Sequence, residues 1–281
     1  MSIEASDNFK TEFDTLVKHG YQQESQLRGT VRLKTGVNGS THRFPKIAKG
    51  LATPRIPQTD VVPMAIAHSY ADATLTDWNA PEYSDILDLA ALSFDEKMEL
   101  VKISQLAVGR RLDQMILDAM GTSAYATQVN QDVGGTNTGF NKEKVLRASR
   151  LMTDNGVPKA DRHLAISATA LEQALGNTDM TSSDFVNGVV APLLTGKLES
   201  YGGFKFHVIG AMDEGGLTVA ANICYGFGWH KDAVGLAIGV DFRTSVDWVP
   251  EKTSWLINTL FKAGAVSVDT DGIIDVLTYE A

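Results

Sequence analysis

Six histidines, one cysteine and two turn-rich segments are the places in this sequence where chemistry could be built. His19, His42, His68, His163, His207 and His230 stand singly, without a His-Glu-x-x-His pair or a Cys/His cluster, so a metal centre would have to be assembled by the fold alone. Gly134-Gly135-Thr136-Asn137-Thr138-Gly139 has the glycine content of a phosphate cradle. It lacks the Gly-Lys-Ser/Thr ending, and a surface loop is the favoured reading. Asp269-Thr270-Asp271-Gly272 opens like a calcium loop with Glu280 at its twelfth position. Ile273 and Ile274 stand where an oxygen ligand and a glycine belong, so a hairpin turn is expected instead. Cys224, within a half-buried strand pattern, has neither a nearby base nor a helix N-terminus to activate it. No Gly-x-Ser-x-Gly exists. The residues nominate no catalytic group, no metal and no cofactor, and a protein that is not an enzyme is expected.

Charge is the stronger signal. The chain of 281 residues carries 34 acidic against 25 basic side chains, a formal net charge of -9, which argues against general affinity for nucleic acid. The distribution is uneven. Ser25 to Thr59 holds Arg28, Arg32, Lys34, Arg43, Lys46, Lys49 and Arg55 with no Asp or Glu. Tyr70 to Glu99 holds Asp72, Asp77, Glu82, Asp85, Asp88, Asp95, Glu96 and Glu99 against Lys97 alone. Two solvated faces would explain this. Complementarity between the segments, within one subunit or across copies, is the sharper expectation, with Arg28, Arg32, Lys34, Arg43, Lys46 and Lys49 meeting Asp77, Glu82, Asp85 and Asp88 of a neighbour. A basic arm for nucleic acid would need interleaved aromatics, and Phe44 is the only one from Ser25 to Thr59.

Length and the single cysteine indicate one large or two modest globular domains without a disulfide scaffold. No apolar run reaches a membrane span, and Met1-Ser2-Ile3-Glu4 lacks a signal-peptide pattern, so a cytosolic protein with no membrane partner is expected. The elements that would carry the charges begin with alternation over Leu27 to Lys34 and again over Thr41 to Ala48. Asn38-Gly39 lies between them as a hairpin signal. So polar a hairpin must project and lie on something else. Five of the eight prolines, at 45, 54, 57, 63 and 81, exclude a long helix up to Pro81. Ser93-Phe94-Asp95-Glu96 then reads as a capping box. Phe94, Met98, Val101, Val108, Leu112, Met115 and Ala119 form an apolar series, interrupted by Gln105, and Gly121 is the stop. Further on, a helix is expected over Asn141 to Asn155, a strand over Arg162 to Ala168 and a short helix over Thr169 to Leu175. Strands are expected from Phe204, over Ala233 to Val240 and over Gly272 to Tyr279, while Ser254 to Ala265 fits strand or helix. Irregular mixing of helices and strands favours α+β.

The order of projecting hairpin, proline-rich stretch, long capped helix and α+β domain resembles the major capsid proteins of tailed double-stranded DNA phages, the Hong Kong 97-type fold. Four stretches carry the resemblance: Phe44-Pro-Lys-Ile-Ala-Lys-Gly50, Gly109-Arg-Arg-Leu-Asp113, Gly196 to Ile209, and Gly228 to Ala237. It implies an N-terminal arm over 1–24, an extended loop over 25–60, a spine helix over 93–120, an axial domain over 121–240, and a peripheral domain from 61–120 with 241–281. It also implies self-assembly as hexamers and pentamers into an icosahedral head in the host cytoplasm. The head is expected to enclose double-stranded DNA without sequence-specific contact and to depend on a portal. Some members carry a long N-terminal scaffolding region, and with only the 24 residues of 1–24 before the hairpin a separate scaffolding protein is expected. A lysine–asparagine cross-link known in some members would need Lys34 and a partner such as Asn258, and no motif supports that pairing. A bacterial nanocompartment shell is the alternative on the same fold. A soluble metal- or phosphate-using enzyme around Gly134 to Gly139 is the alternative of another class.

Overall fold

The computed structural model of the chain describes residues 24–61, 63–87, 95–121, 127–177, 198–210 and 212–280. In chain order its strands are β1 (Arg32–Thr35), β2 (Thr41–Ile47), β3 (His68–Thr74), β4 (Thr76–Asp85), β5 (Gln128–Val129), β6 (Arg162–Ser167), β7 (Ser200–Tyr201), β8 (Phe204–Ile209), β9 (Val219–Ala220), β10 (Ile223–His230), β11 (Val234–Val249), β12 (Ser254–Ser267) and β13 (Ile273–Tyr279). Its helices are α1 (Glu96–Gly121), α2 (Lys142–Asp154) and α3 (Ala168–Gly176). Helices and strands do not alternate regularly, and the fold is α+β.

The smaller of two main sheets has the order β1-β11-β12-β4. β11 and β12 run antiparallel from Val234↔Ser267 to Val249↔Ser254, interrupted by register shifts around Val240. The Ser254 to Ala265 segment is therefore strand. α1 lies along this sheet. Its sequence is dominated by good helix formers without proline, and Glu96 and Glu99 in the first turn complement the helix dipole. Twenty-six residues give a strut of roughly 40 Å. Its buried row steps by four through Ser104, Val108, Leu112, Ile116 and Met120, with Gly109, Asp113 and Leu117 beside it. The expected series agrees at Val108 and Leu112, but Met98 is 57% exposed and Gln105 is exposed as well. The buried row follows the inclined i±4 ridge, whereas the sequence series mixes steps of three, four and seven. Ser93 and Phe94 of the expected cap lie outside the described residues. Glu96 accepts a hydrogen bond from Ser84 Oγ of β4, clamping the helix start to the sheet.

The larger, mixed sheet has the order β5-β13-β10-β6-β8-β7, with β9 on β10. One core lies between α1, both sheets and the segment before β1, and includes Leu27, Val31, Leu112, Ile116, Trp229 and Phe261. A second lies between the larger sheet and α2 with α3, around Val145, Met152, Leu164, Phe204 and Ile274. Both helices start on side-chain caps: Asn141 accepts from the Lys144 amide, and Ser167 from the Ala170 amide.

Two expected hairpins are not formed. Asn38-Gly39 sits between strands with different partners, because β1 pairs in parallel with β11 and β2 pairs antiparallel with β3, from Thr41↔Thr74 to Ile47↔His68. Gly36 and Gly39, both at positive φ, turn the chain out of the smaller sheet. Arg43 faces Asp72 in this register, so opposite charges meet across β2 and β3. Asp269-Thr270-Asp271-Gly272 does not join paired strands either, since β12 belongs to the smaller sheet and β13 to the larger. A 3₁₀ turn capped by Asp269 carries the chain across.

Candidate assembly surface

The β2–β3 hairpin is a separate two-stranded sheet that leaves the body at one small core made by Phe44, Ala73, Leu75 and Ala237. Two glycines let its root press onto the smaller sheet. A Cβ on Gly235 would stand 2.8 Å from the Phe44 ring, and one on Gly264 would stand 2.1 Å from the Thr74 carbonyl oxygen. Beyond the root the chain runs through residues 48–67. Here Leu51 is 83% and Val61 90% exposed, with Ile56 and Met64 also in water. A two-stranded ribbon with an apolar tip has too little burial to be stable by itself.

The expected charge partners divide into two groups. Arg43 forms a two-point pair with Asp72 across the hairpin at 2.9 and 3.0 Å, stacks 3.6 Å above the Tyr70 ring, and holds the Asp72 carboxyl below its usual range. Lys46 Nζ reaches Asp269 at 2.7 Å, and Lys49 Nζ donates to the Asn155 carbonyl at 2.9 Å with Asp271 at 3.7 Å. The turn that looked like a calcium loop thus receives two lysines of the hairpin. Arg28 pairs with Asp241 at 2.6 Å, and Asp77 with Lys262 at 3.3 Å. These five residues are engaged within their own subunit. Arg32 lies 5.7 Å from the Phe44 ring centroid, and Lys34 is exposed on β1. Glu82 and Asp85, on β4, accept from the amides of Tyr83 and Leu87. Asp88 lies outside the described residues. Lys34 and Asn258 stand opposite Ala237 and Ser245 on β11, roughly 25 Å apart along the strand, so they do not meet within one subunit.

A second exposed apolar area lies at the far end of the smaller sheet. Trp248 and Trp255 pair edge to face at 5.4 Å across β11 and β12. Lys97 Nζ lies 4.1 Å from the Trp255 centroid, and Tyr83, Ile86 and Leu87 are exposed nearby in sequence on and after β4.

The candidate chemical groups are occupied structurally. In the Gln131 to Gly139 loop, Thr138 Oγ1 donates to the Gln131 and Val133 carbonyls, both at 2.7 Å, and the Asn137 amide to Asp132 at 3.0 Å. Fully buried Lys144 donates to the carbonyls of Thr138 at 2.6 Å and Leu277 at 2.9 Å, tying the loop to β13; burial lowers its pKa to about 8. Cys224 is buried in β10, where desolvation and nearby Glu280 push its thiol up to about 12, far from a reactive thiolate. Among the described residues no cluster of three or more His, Cys, Asp or Glu side chains could hold a metal.

Two arrangements escape a reading of the sequence. Asp113, buried on α1, accepts from Ser25 Oγ and the Gln26 amide, both at 2.8 Å, and from the Leu27 amide at 3.2 Å. Burial nevertheless pushes its carboxyl up. The Gly-Arg-Arg-Leu-Asp stretch therefore anchors the strap of residues 25–35. The second is a pair of histidines. Parallel pairing of β6 with β8 brings His163 Nδ1 within 2.9 Å of His207 Nε2, and both rings stack on Trp229. A His at each of two strand positions carries no sign of this until strand order and register are known.

A model of the phage capsid protein family matches residues 5–280. No curated protein sequence matches the chain. Among solved structures, the capsid of cyanophage P-SCSP1u is similar at TM-score 0.77 and 17% identity, covering 98% of this chain and 94% of that one. The acidic stable capsid of Helicobacter pylori bacteriophage KHP30 is similar at TM-score 0.78 and 12% identity, covering 99% and 97%. The capsid of Ralstonia phage GP4 is similar at TM-score 0.68 and 11% identity, covering 100% and 98%.

Proposed function

The chain belongs to the phage capsid protein family, and from that premise we propose that it is the major capsid protein of a tailed double-stranded DNA phage, assembling as hexamers and pentamers into an icosahedral head. The observation that carries this reading is the β2–β3 hairpin, whose apolar tip a single subunit leaves in water. In a closed shell every copy offers its neighbour a bed for that hairpin, and burial lost within the subunit is regained between subunits. The hairpin from Thr41 to Thr74 takes the part of the extended loop, displaced from the 25–60 expected. In this reading the smaller sheet with α1 forms the peripheral domain and the larger sheet with α2 and α3 the axial domain, so β13 (Ile273–Tyr279) goes to the axial side and not to the peripheral 241–281 expected. A net acidic chain suits a container, because an inner wall that gripped DNA would oppose dense packing and release. The head forms in the host cytoplasm around a separate scaffolding protein and a portal, and the subunit carries out no turnover chemistry.

Co-expression with its scaffolding protein, followed by sedimentation and negative-stain microscopy, tests this. Closed shells on the order of 50 nm across are expected, with curvature set by mixed rings of five and six. A protein that stays monomeric or dimeric beside its scaffolding partner overturns the reading.

A further inference from the structure

His163 and His207, 44 residues apart in sequence, share one hydrogen bond of 2.9 Å on the face of the larger sheet that holds Trp229. His163 lies directly opposite Trp229 across the β6–β10 ladder and is 6% exposed; His207, on β8, is half-buried. Trp229 is fully buried, and its Nε1 donates to the Thr30 carbonyl at 3.0 Å. That is a hold on the middle of the strap, between Leu27 and Val31, both of which fill the main core. The strap has a second anchor at its start, where Asp113 accepts its three hydrogen bonds.

We propose that the His163–His207 pair is a pH-sensitive latch for the strap of residues 25–35: acid that protonates both rings parts them, shifts Trp229 and releases the strap from the larger sheet. The proton count gives the reason. With both rings neutral, one of the facing nitrogens carries the hydrogen and the other accepts it. A first added proton goes to an outward nitrogen and leaves that bond intact. A second puts hydrogens on both facing nitrogens, so the bond becomes a contact between two N–H groups on two cations. The rings can relieve it only by moving, and the surface they share is Trp229.

The charged groups around the pair oppose protonation. Lys205, on the strand of His207, and Lys231, after β10, add positive charge, whereas Asp161 favours the cation and is itself held by Lys205 at 2.9 Å. Burial, then His207, then Lys205 push His163 down to about 4, and burial with Lys205 lowers His207. Arg28 is drawn to Asp241 and Arg32 lies toward Phe44, while Asp113 belongs to the other anchor. The latch is thus closed at neutral pH and opens only in acid. The inference concerns the single subunit and does not depend on the proposed assembly.

Pulsed hydrogen exchange of the wild-type subunit, incubated between pH 7 and 3 and always pulsed at one pH, reads the strap directly. Protection over residues 28–31, between the Asp113 anchor and β1, should fall about tenfold or more on acidification, while β1 keeps its pairing with β11. Its midpoint should coincide with the second ring titration of the pair, followed by NMR of the histidine ring protons. The double variant His163→Asn, His207→Gln supplies amide groups at the facing positions and cannot titrate, so its strap should stay protected. Asp113→Asn should leave the midpoint in place. The proposal fails if the double variant opens at the wild-type midpoint, if the midpoint moves with Asp113→Asn, or if wild type stays protected while both rings titrate. Should the double variant not fold, the wild-type comparison decides: ring titration and strap opening at different pH values overturn the latch.

Discussion

Asp275 sits on β13 opposite Phe227, with its Oδ1 buried and without a hydrogen-bond partner among the described residues, and burial pushes its carboxyl up to about 6. An unfolded aspartate titrates near about 4. The folded state therefore binds this proton more tightly, so the contribution to stability is full below about 4 and is lost as pH rises through about 6. His163 has the opposite sign. Its folded pKa of about 4 lies below the unfolded value, so its contribution is full above about 6.5 and is lost as pH falls toward about 4. Between pH 4 and 6 the two slopes, each at most about 1.4 kcal/mol per pH unit, oppose one another. Asp275→Asn removes one of them. The variant should be more stable than wild type at pH 7 by about 1 to 2 kcal/mol and should lose stability more steeply toward pH 4. Urea midpoints at pH 7 and 4.5 measure both effects, and a variant less stable at pH 7 would show that the carboxylate has a partner. Little of this was legible in the sequence. An aspartate between Ile274 and Val276 has the alternation of a strand with one wet face, and only the packing of Ile273 into one core and of Ile274 and Val276 into the other reveals that both faces are covered.

At the scale of elements, local pattern was a better guide to what each segment is than to what it pairs with. Asn141 to Asn155, Arg162 to Ala168, Thr169 to Leu175 and Gly272 to Tyr279 form the expected elements within one or two residues, because caps and periodicity act within a few residues. Strand partners are set by contacts distant in sequence, and the two strands flanking Asn38-Gly39 find different ones. The helix α1 shows the same limit. Its existence follows from composition, whereas its buried row depends on the angle at which the sheet crosses it. This makes a paired test possible. Val108→Asp places an unpaired carboxylate in the main core at a cost of several kcal/mol, comparable with a whole stability margin, and should yield insoluble protein. Met98→Asp, at an exposed position of the same helix, should fold as wild type. Circular dichroism and solubility after expression distinguish them. Equal behaviour of the two variants would mean that the helix packs by another face.

For the whole molecule, the opposed charge of two neighbouring segments resolves into internal and available parts. Arg28, Arg43, Lys46 and Lys49 are engaged by their own chain, as are Asp72 and Asp77; Arg43 with Asp72 joins the two strands of the hairpin, and Lys46 and Lys49 set it on its body. Arg32, Lys34 and Arg55 on one side, and Glu82 and Asp85 on the other, remain candidates for contact between copies. Exposed pairs of this kind contribute only about 0.2 to 1 kcal/mol each, so no single charge should be essential. Repeated around every ring, they would steer and register assembly, and the effect should weaken as salt shortens the screening length. Reversing Arg32, Lys34 and Arg55 to Glu should therefore slow or abolish shell formation while leaving a folded subunit. Adding Glu82→Lys and Asp85→Lys in the same chain should restore it in part, because every copy then carries both changes. Light scattering during assembly, at low and at molar salt, follows each variant, with circular dichroism reporting the fold. Reversing Lys46 should instead loosen the hairpin on its own subunit, with Asp269 the site of rescue, and reversing Arg43 should loosen the two strands of the hairpin from one another, with Asp72 the site of rescue. Assembly indifferent to the Arg32, Lys34 and Arg55 reversal at every salt concentration would mean that these residues form a solvated face, leaving the apolar tip of the hairpin to hold neighbouring copies together.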